Sequence, residues 1–232
     1  MYLCSRDAVP RIHARSPAAR FIVMLRNPAE VAQAYHMQKV LLFHEDQRDF
    51  KAAWRLQPER LRGATLPSRC PEPVMLQYGA MASFGTQVRR LLEAVPRAAV
   101  HFIRFEDFCA DPAAAYRETL AFLGLPDDGR REFAPVGAAR EHRWQWFARL
   151  YLAPPAPLRE PLQQLRLHLM RERYPLVEAL KARWYRPQPR ASLSLRLQAE
   201  LAEFFEPEVR ELERLLGWNL EAWRPRATAR AA

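Results

Sequence analysis

A chain of 232 residues, 49% of them apolar and 27% charged, has room for one sizeable hydrophobic core. No apolar run reaches the ~20 residues that cross a bilayer, and the composition excludes wholesale disorder. The formal net charge of +10 invites nucleic acid as a partner, but the basic residues are scattered, with neither a block nor an Arg/aromatic alternation, so nucleic acid is not expected.

Of the 36 basic residues 33 are Arg, and only Lys39, Lys51 and Lys181 are Lys. Arginine's planar fork grips phosphate or carboxylate in two places, so the chain is rich in potential anion ligands, although a GC-rich coding sequence would enrich Arg, Ala and Pro together. Cys4, Cys70 and Cys109 form no Cys-x-x-Cys pair, and the six His show no ligand spacing. Neither a disulfide framework nor a metal is expected. The start, Met1-Tyr2-Leu3-Cys4-Ser5-Arg6, lacks the basic-then-apolar order of a signal peptide, which points to the cytoplasm.

The first strong element is Arg20 to Leu25, a short continuous apolar run that reads as a strand buried on both faces in a parallel sheet. Asn27 as N-cap, Pro28 at the first helical position and Glu30 three residues after the cap then open a helix to about Leu42. Helical spacing continues from Glu45 to Arg62, interrupted by Pro58 and closed by Gly63. Thr65 to Pro73 reads as an ordered loop, and Tyr78-Gly79 opens a helix to about Ala94.

A second strand is expected over Val100 to Phe105, and a helix capped by Asp111-Pro112 and stopped by Gly124. Asp127-Asp128-Gly129 is a turn. Beyond it the pattern is helical and Pro-punctuated with no further strand: a stiff connector over 153–161, helical stretches near 158–172 and 176–184, a helix capped by Ser192 or Ser194 through Phe205, and another from Pro207 to Leu216.

A buried strand that ends in Arg26 and runs straight into a capped helix N-terminus makes an anion site at the carboxyl edge of a sheet, with Arg26 as its formal charge. The same local pattern is equally compatible with an Arg paired to a nearby acidic residue to hold the loop.

The run Leu25-Arg26-Asn27-Pro28-Ala29-Glu30-Val31-Ala32 resembles a motif of the sulfotransferases that use 3′-phosphoadenosine 5′-phosphosulfate (PAPS). So does Phe105-Glu106-Asp107-Phe108-Cys109-Ala110-Asp111-Pro112, continued by Phe122-Leu123-Gly124-Leu125. Tyr78-Gly79, Trp54-Arg55-Leu56-Gln57 and the ending Leu215 to Trp223 are similar to family segments in the same order. The resemblance implies an α/β fold: a P-loop-like sulfotransferase core, with a short parallel sheet flanked by helices and a helical C-terminal half. It implies sulfuryl transfer from PAPS to a hydroxyl or amine acceptor, without a metal.

Residue by residue it implies that Arg26 holds the nucleotide's 3′-phosphate beside Asn27, that Tyr78 lies against the adenine, and that Arg140 and Arg143 stand near the nucleotide. Glu106 and Asp107 would be structural. Two departures follow. The family's phosphate-binding serine, eight positions after Arg26, falls on Ala34. The Gly-rich turn with Lys that cradles the 5′-phosphosulfate matches none of the seven glycines, so Met1 is expected to fall inside the family's usual length, after that turn and the first strand. The expected organisation is one domain over 1–224 that lacks this segment, with 225–232 a frayed tail.

On that basis the strand at Phe21–Leu25 would expose an edge or apolar face. No residue is assigned as catalytic base: His36 and His44 are the candidates by type, but both read as helix-surface residues. The alternative to an enzyme is a non-catalytic sulfotransferase-like binding module with a weak anion or nucleotide site.

Overall fold

The computed structural model describes residues 2–134, 140–143, 160, 164, 185–187 and 192–224. The chain divides into two compact units, Met1–Ala32 with Tyr78–Pro135 and Leu193–Ala232, and Gln33–Gln77 with Val136–Ser192.

The first unit is built on two parallel strands, β1 (Phe21–Leu25) and β2 (Val100–Arg104), in register from Phe21 opposite Val100 to Leu25 opposite Arg104. Side chains alternate across a strand, so Phe21, Val23 and Leu25 share a face with Val100 and Phe102. That face packs on α1 (Ala8–Arg15), α6 (Phe84–Ala94) and α9 (Leu195–Leu216), around buried Val9, Leu25, Val88, Leu91, Val209 and Leu212.

The expectation of a strand buried on both faces is corrected here. Ile22 and Met24 on the opposite face are 46% and 44% exposed, because α8 (Pro112–Leu123) covers only the β2 side, where Phe122 stacks on His101 at 5.3 Å. A continuous apolar run cannot distinguish one covered face from two; the neighbours decide.

Local chemistry explains most boundaries. In α2 (Pro28–Leu41) the Asn27 carboxamide oxygen accepts from Ala29 N at 3.0 Å. Asp49 caps α3 (Phe50–Arg55) and Asp111 caps α8, whose end at Gly124 is left-handed with φ 70°. Pro58 cannot donate to the Trp54 carbonyl, so the helix breaks at Leu56 and α4 (Gln57–Leu61) begins; Gln57 Nε2 supplies the missing bond at 2.8 Å.

Four expectations change. The helix from Tyr78 splits into α5 (Tyr78–Met81) and α6, because the Ser83 hydroxyl donates to Gly79 O and Gln87 Nε2 donates to Ala80 O, satisfying α5's carbonyls locally. Phe105 leaves the strand and starts α7 (Phe105–Ala110). In the second unit, β3 (Arg140–His142) and β4 (Tyr185–Pro187) form an antiparallel pair where no strand was expected; three residues are too few to show a period. Finally, the two helices meeting at Pro207 are one, α9, capped by Ser194. Pro207 is exposed, while Leu201, Phe205, Val209 and Leu212 keep one buried stripe in phase across it. The connector and the helical stretches expected between 153 and 184, and the tail 225–232, lie outside the described residues.

Candidate functional site

Arg26 follows β1 directly and precedes the capped start of α2. Its guanidinium lies 4.4 Å from the centroid of the Phe105 ring and pairs through Nη2 with Glu30, one turn into α2. The side chains of Arg26 and Glu30 are 22% and 49% exposed, so the pair sits at the surface, where such an interaction is weak and exchangeable. A carboxylate holds one amino group, and the stacked fork retains donors on Nε and Nη1 that no described residue takes up.

The paired carboxylates of the 105–112 segment hold neighbouring elements together. Glu106 accepts from Trp223 Nε1 at 2.9 Å, and Asp107 pairs with Arg104, with Nε at 3.0 Å.

Tyr78 is completely buried at the start of α5, so in this conformation its ring offers no exposed face to a purine. Ala34 is half-buried on α2. Arg140 opens β3, and Arg143, exposed, follows it; both belong to the second unit.

His36 is not the helix-surface residue expected: it is 2% exposed, with Nε2 2.8 Å from Gln47 O and its ring 5.4 Å from that of Phe50. Burial pushes its pKa below the usual 6.5, against the raising effect of the Gln47 carbonyl and Glu45. His44, half-buried, is lowered by burial and then by the charges of Lys39 and Arg69. Sequence reasoning also missed the buried pair of Arg60 and Glu45, whose Nη2 and Oε1 are 2.7 Å apart; nothing in their spacing marks it. Among the described residues no group of three or more His, Cys, Asp or Glu could hold a metal ion, and no helix is long and apolar enough to cross a membrane.

Comparison with known proteins gives these observations a frame. Residues 6–129, just over half the chain, match the family model described as "Sulfotransferase family", and the protein belongs to that family. Among solved structures it is similar to a sulfotransferase from Alicyclobacillus acidocaldarius, with a TM-score of 0.61 and 24% identity over 96% of this chain. The match supports the mixed α/β fold with its short parallel sheet. It spans 64% of the length of that neighbour. No curated protein matches.

Proposed function

We propose that this chain serves sulfuryl transfer from PAPS to a hydroxyl or amine acceptor, and that Arg26 with the Asn27-capped start of α2 anchors the donor's 3′-phosphate. The carrying observation is the stacked Arg26 fork beside a helix N-terminus, with Nε and Nη1 still available. A phosphate brings more charge than Glu30 and meets the stacked fork at the positive end of α2, so it displaces or shares the exposed carboxylate. PAPS supplies the activated sulfuryl group. These residues contribute binding and orientation at the far end of the nucleotide. Tyr78, enclosed as it is, adds nothing to the reading.

The test is calorimetric titration with 3′-phosphoadenosine 5′-phosphate. Arg26→Ala should weaken binding by ~1.5–3 kcal/mol, and Arg26→Lys should recover only part, because a point charge cannot reproduce the fork. Adenosine 5′-phosphate, which lacks the 3′ group, should be nearly indifferent. Equal losses for both ligands would reject the assignment.

A second reading is favoured by one observation: Arg26 already has Glu30 as a partner. On that reading the chain is a binding module whose Arg26 is a loop brace, and the bisphosphate and the monophosphate bind equally weakly.

A further inference from the structure

The register of the sheet sets what surrounds Arg26. Leu25 pairs with Arg104, so the two parallel strands end together, and Arg26 and Phe105 leave them side by side. The Phe105 ring, itself set against Phe108 with centroids 6.5 Å apart, faces the Arg26 guanidinium at 4.4 Å. A ring face fixes the plane of a fork without using its N–H donors, so the rim of the guanidinium stays open to anions.

That rim is already in use. Glu30, one turn into α2, reaches back to Nη2. The carboxylates next to the ring in the chain are committed elsewhere, Glu106 to Trp223 Nε1 and Asp107 to Arg104. A carboxylate tethered one turn away meets the fork at an effective concentration on the order of millimolar, so a free anion that takes Nη2 must displace it or share the guanidinium with a like charge. An exposed pair of this spacing is weak, which keeps the exchange within reach of a phosphate.

We propose that Glu30 is a resident competitor for the Arg26 fork, one that lowers the affinity for a 3′-phosphorylated nucleotide and shortens its stay. The inference rests on the reading of Arg26 as the anchor of the 3′-phosphate. On that reading PAPS and the spent 3′-phosphoadenosine 5′-phosphate make the same contact, since sulfuryl transfer changes only the 5′ end. Binding energy that donor and product share does nothing for the chemical step and slows product release. A competing carboxylate at that end limits it.

The test is calorimetric titration of the whole chain with 3′-phosphoadenosine 5′-phosphate, with dissociation rates followed by surface plasmon resonance. Glu30→Gln should tighten the bisphosphate about three-fold, mainly through slower dissociation, and leave adenosine 5′-phosphate unchanged. Glu30 also lies in the first turn of α2, at its positive end, so the same variant should lower the urea midpoint slightly. A merely structural role predicts that binding falls together with stability; competition predicts that the two move in opposite directions. In an Arg26→Ala background the gain should shrink, because the fork that Glu30 occupied is gone. The competition is overturned if Arg26→Ala weakens the bisphosphate while Glu30→Gln leaves it unchanged or weakens it. It is overturned equally if the gain persists in full without Arg26, which would make it long-range repulsion. If Arg26→Ala leaves the affinity unchanged, or if neither the wild type nor Glu30→Gln binds, the anchoring reading itself fails and the competition falls with it.

Discussion

At Ala34 a methyl group stands where the resembling enzymes carry a hydroxyl, two helical turns after Asn27 on the same continuous helix. If the 3′-phosphate binds beside Arg26, Ala34→Ser should tighten 3′-phosphoadenosine 5′-phosphate by up to ~1–2 kcal/mol, the range for a hydrogen bond to a charged group. Titration of the variant checks this, and an unchanged affinity would mean that the helix does not face the nucleotide there. His36 yields a second expectation. Its folded pKa lies below the unfolded value near 6.5, so below that pH the unfolded chain binds more protons than the folded one, and stability falls with pH until the folded pKa is reached. His44 is shifted the same way and adds to the effect. Urea midpoints at pH 7.5 and 5.5 should therefore separate more in the wild type than in His36→Gln, which keeps an amide donor toward Gln47 O. Equal separations would exclude His36 as the source.

The helices α6 and α9 approach closely enough that position 85 admits no side chain. A Cβ on Gly85 would meet Glu208 O at 2.5 Å and Glu211 Cβ at 2.9 Å, and the next residue, Thr86, donates from N and from Oγ1 to the Glu208 carboxylate at 2.7 and 2.8 Å. Gly85→Ala should improve helix propensity yet destabilise the protein by ~1–3 kcal/mol, since the obstruction is backbone and cannot swing away. A lower urea midpoint is the expected result; a higher one would show that the two helices part readily. The same interface explains why α9 runs through Pro207, whose lost hydrogen bond lies on the solvent side while the buried stripe continues beneath it.

For the molecule as a whole, the expectation is that residues 1–232 by themselves do not catalyse measurable PAPS-dependent transfer. None of the glycines, Gly63, Gly79, Gly85, Gly124, Gly129, Gly137 and Gly217, begins a Gly-x-x-x-x-Gly-Lys run, the pattern that would cradle a 5′-phosphosulfate. Losing one donor to a developing charge commonly costs about 10²–10³ in rate, so losing several should extinguish turnover. An assay with labelled PAPS and a panel of hydroxyl and amine acceptors tests this; robust transfer would require a cationic site and base other than those described. The exposed Ile22 and Met24 add an expectation of concentration-dependent association, readable by sedimentation.

What was legible in the sequence is what short-range chemistry decides. The strand ending at Arg26, the Asn27 and Asp111 caps, the break at Pro58 and the stop at Gly124 each depend on a few adjacent residues, and each is found where those residues put it. Arg26 stood out for the same reason, as a cation between a strand and a helix start. Only the tertiary structure decided which face of β1 is covered, whether α9 survives Pro207, and which charges meet. The burial of His36 and Tyr78, the pairing of Arg60 with Glu45 and the stacking of Arg26 on Phe105 join residues distant in the chain or depend on what packs around them. Burial and pairing are properties of the space around a side chain, which no local pattern encodes.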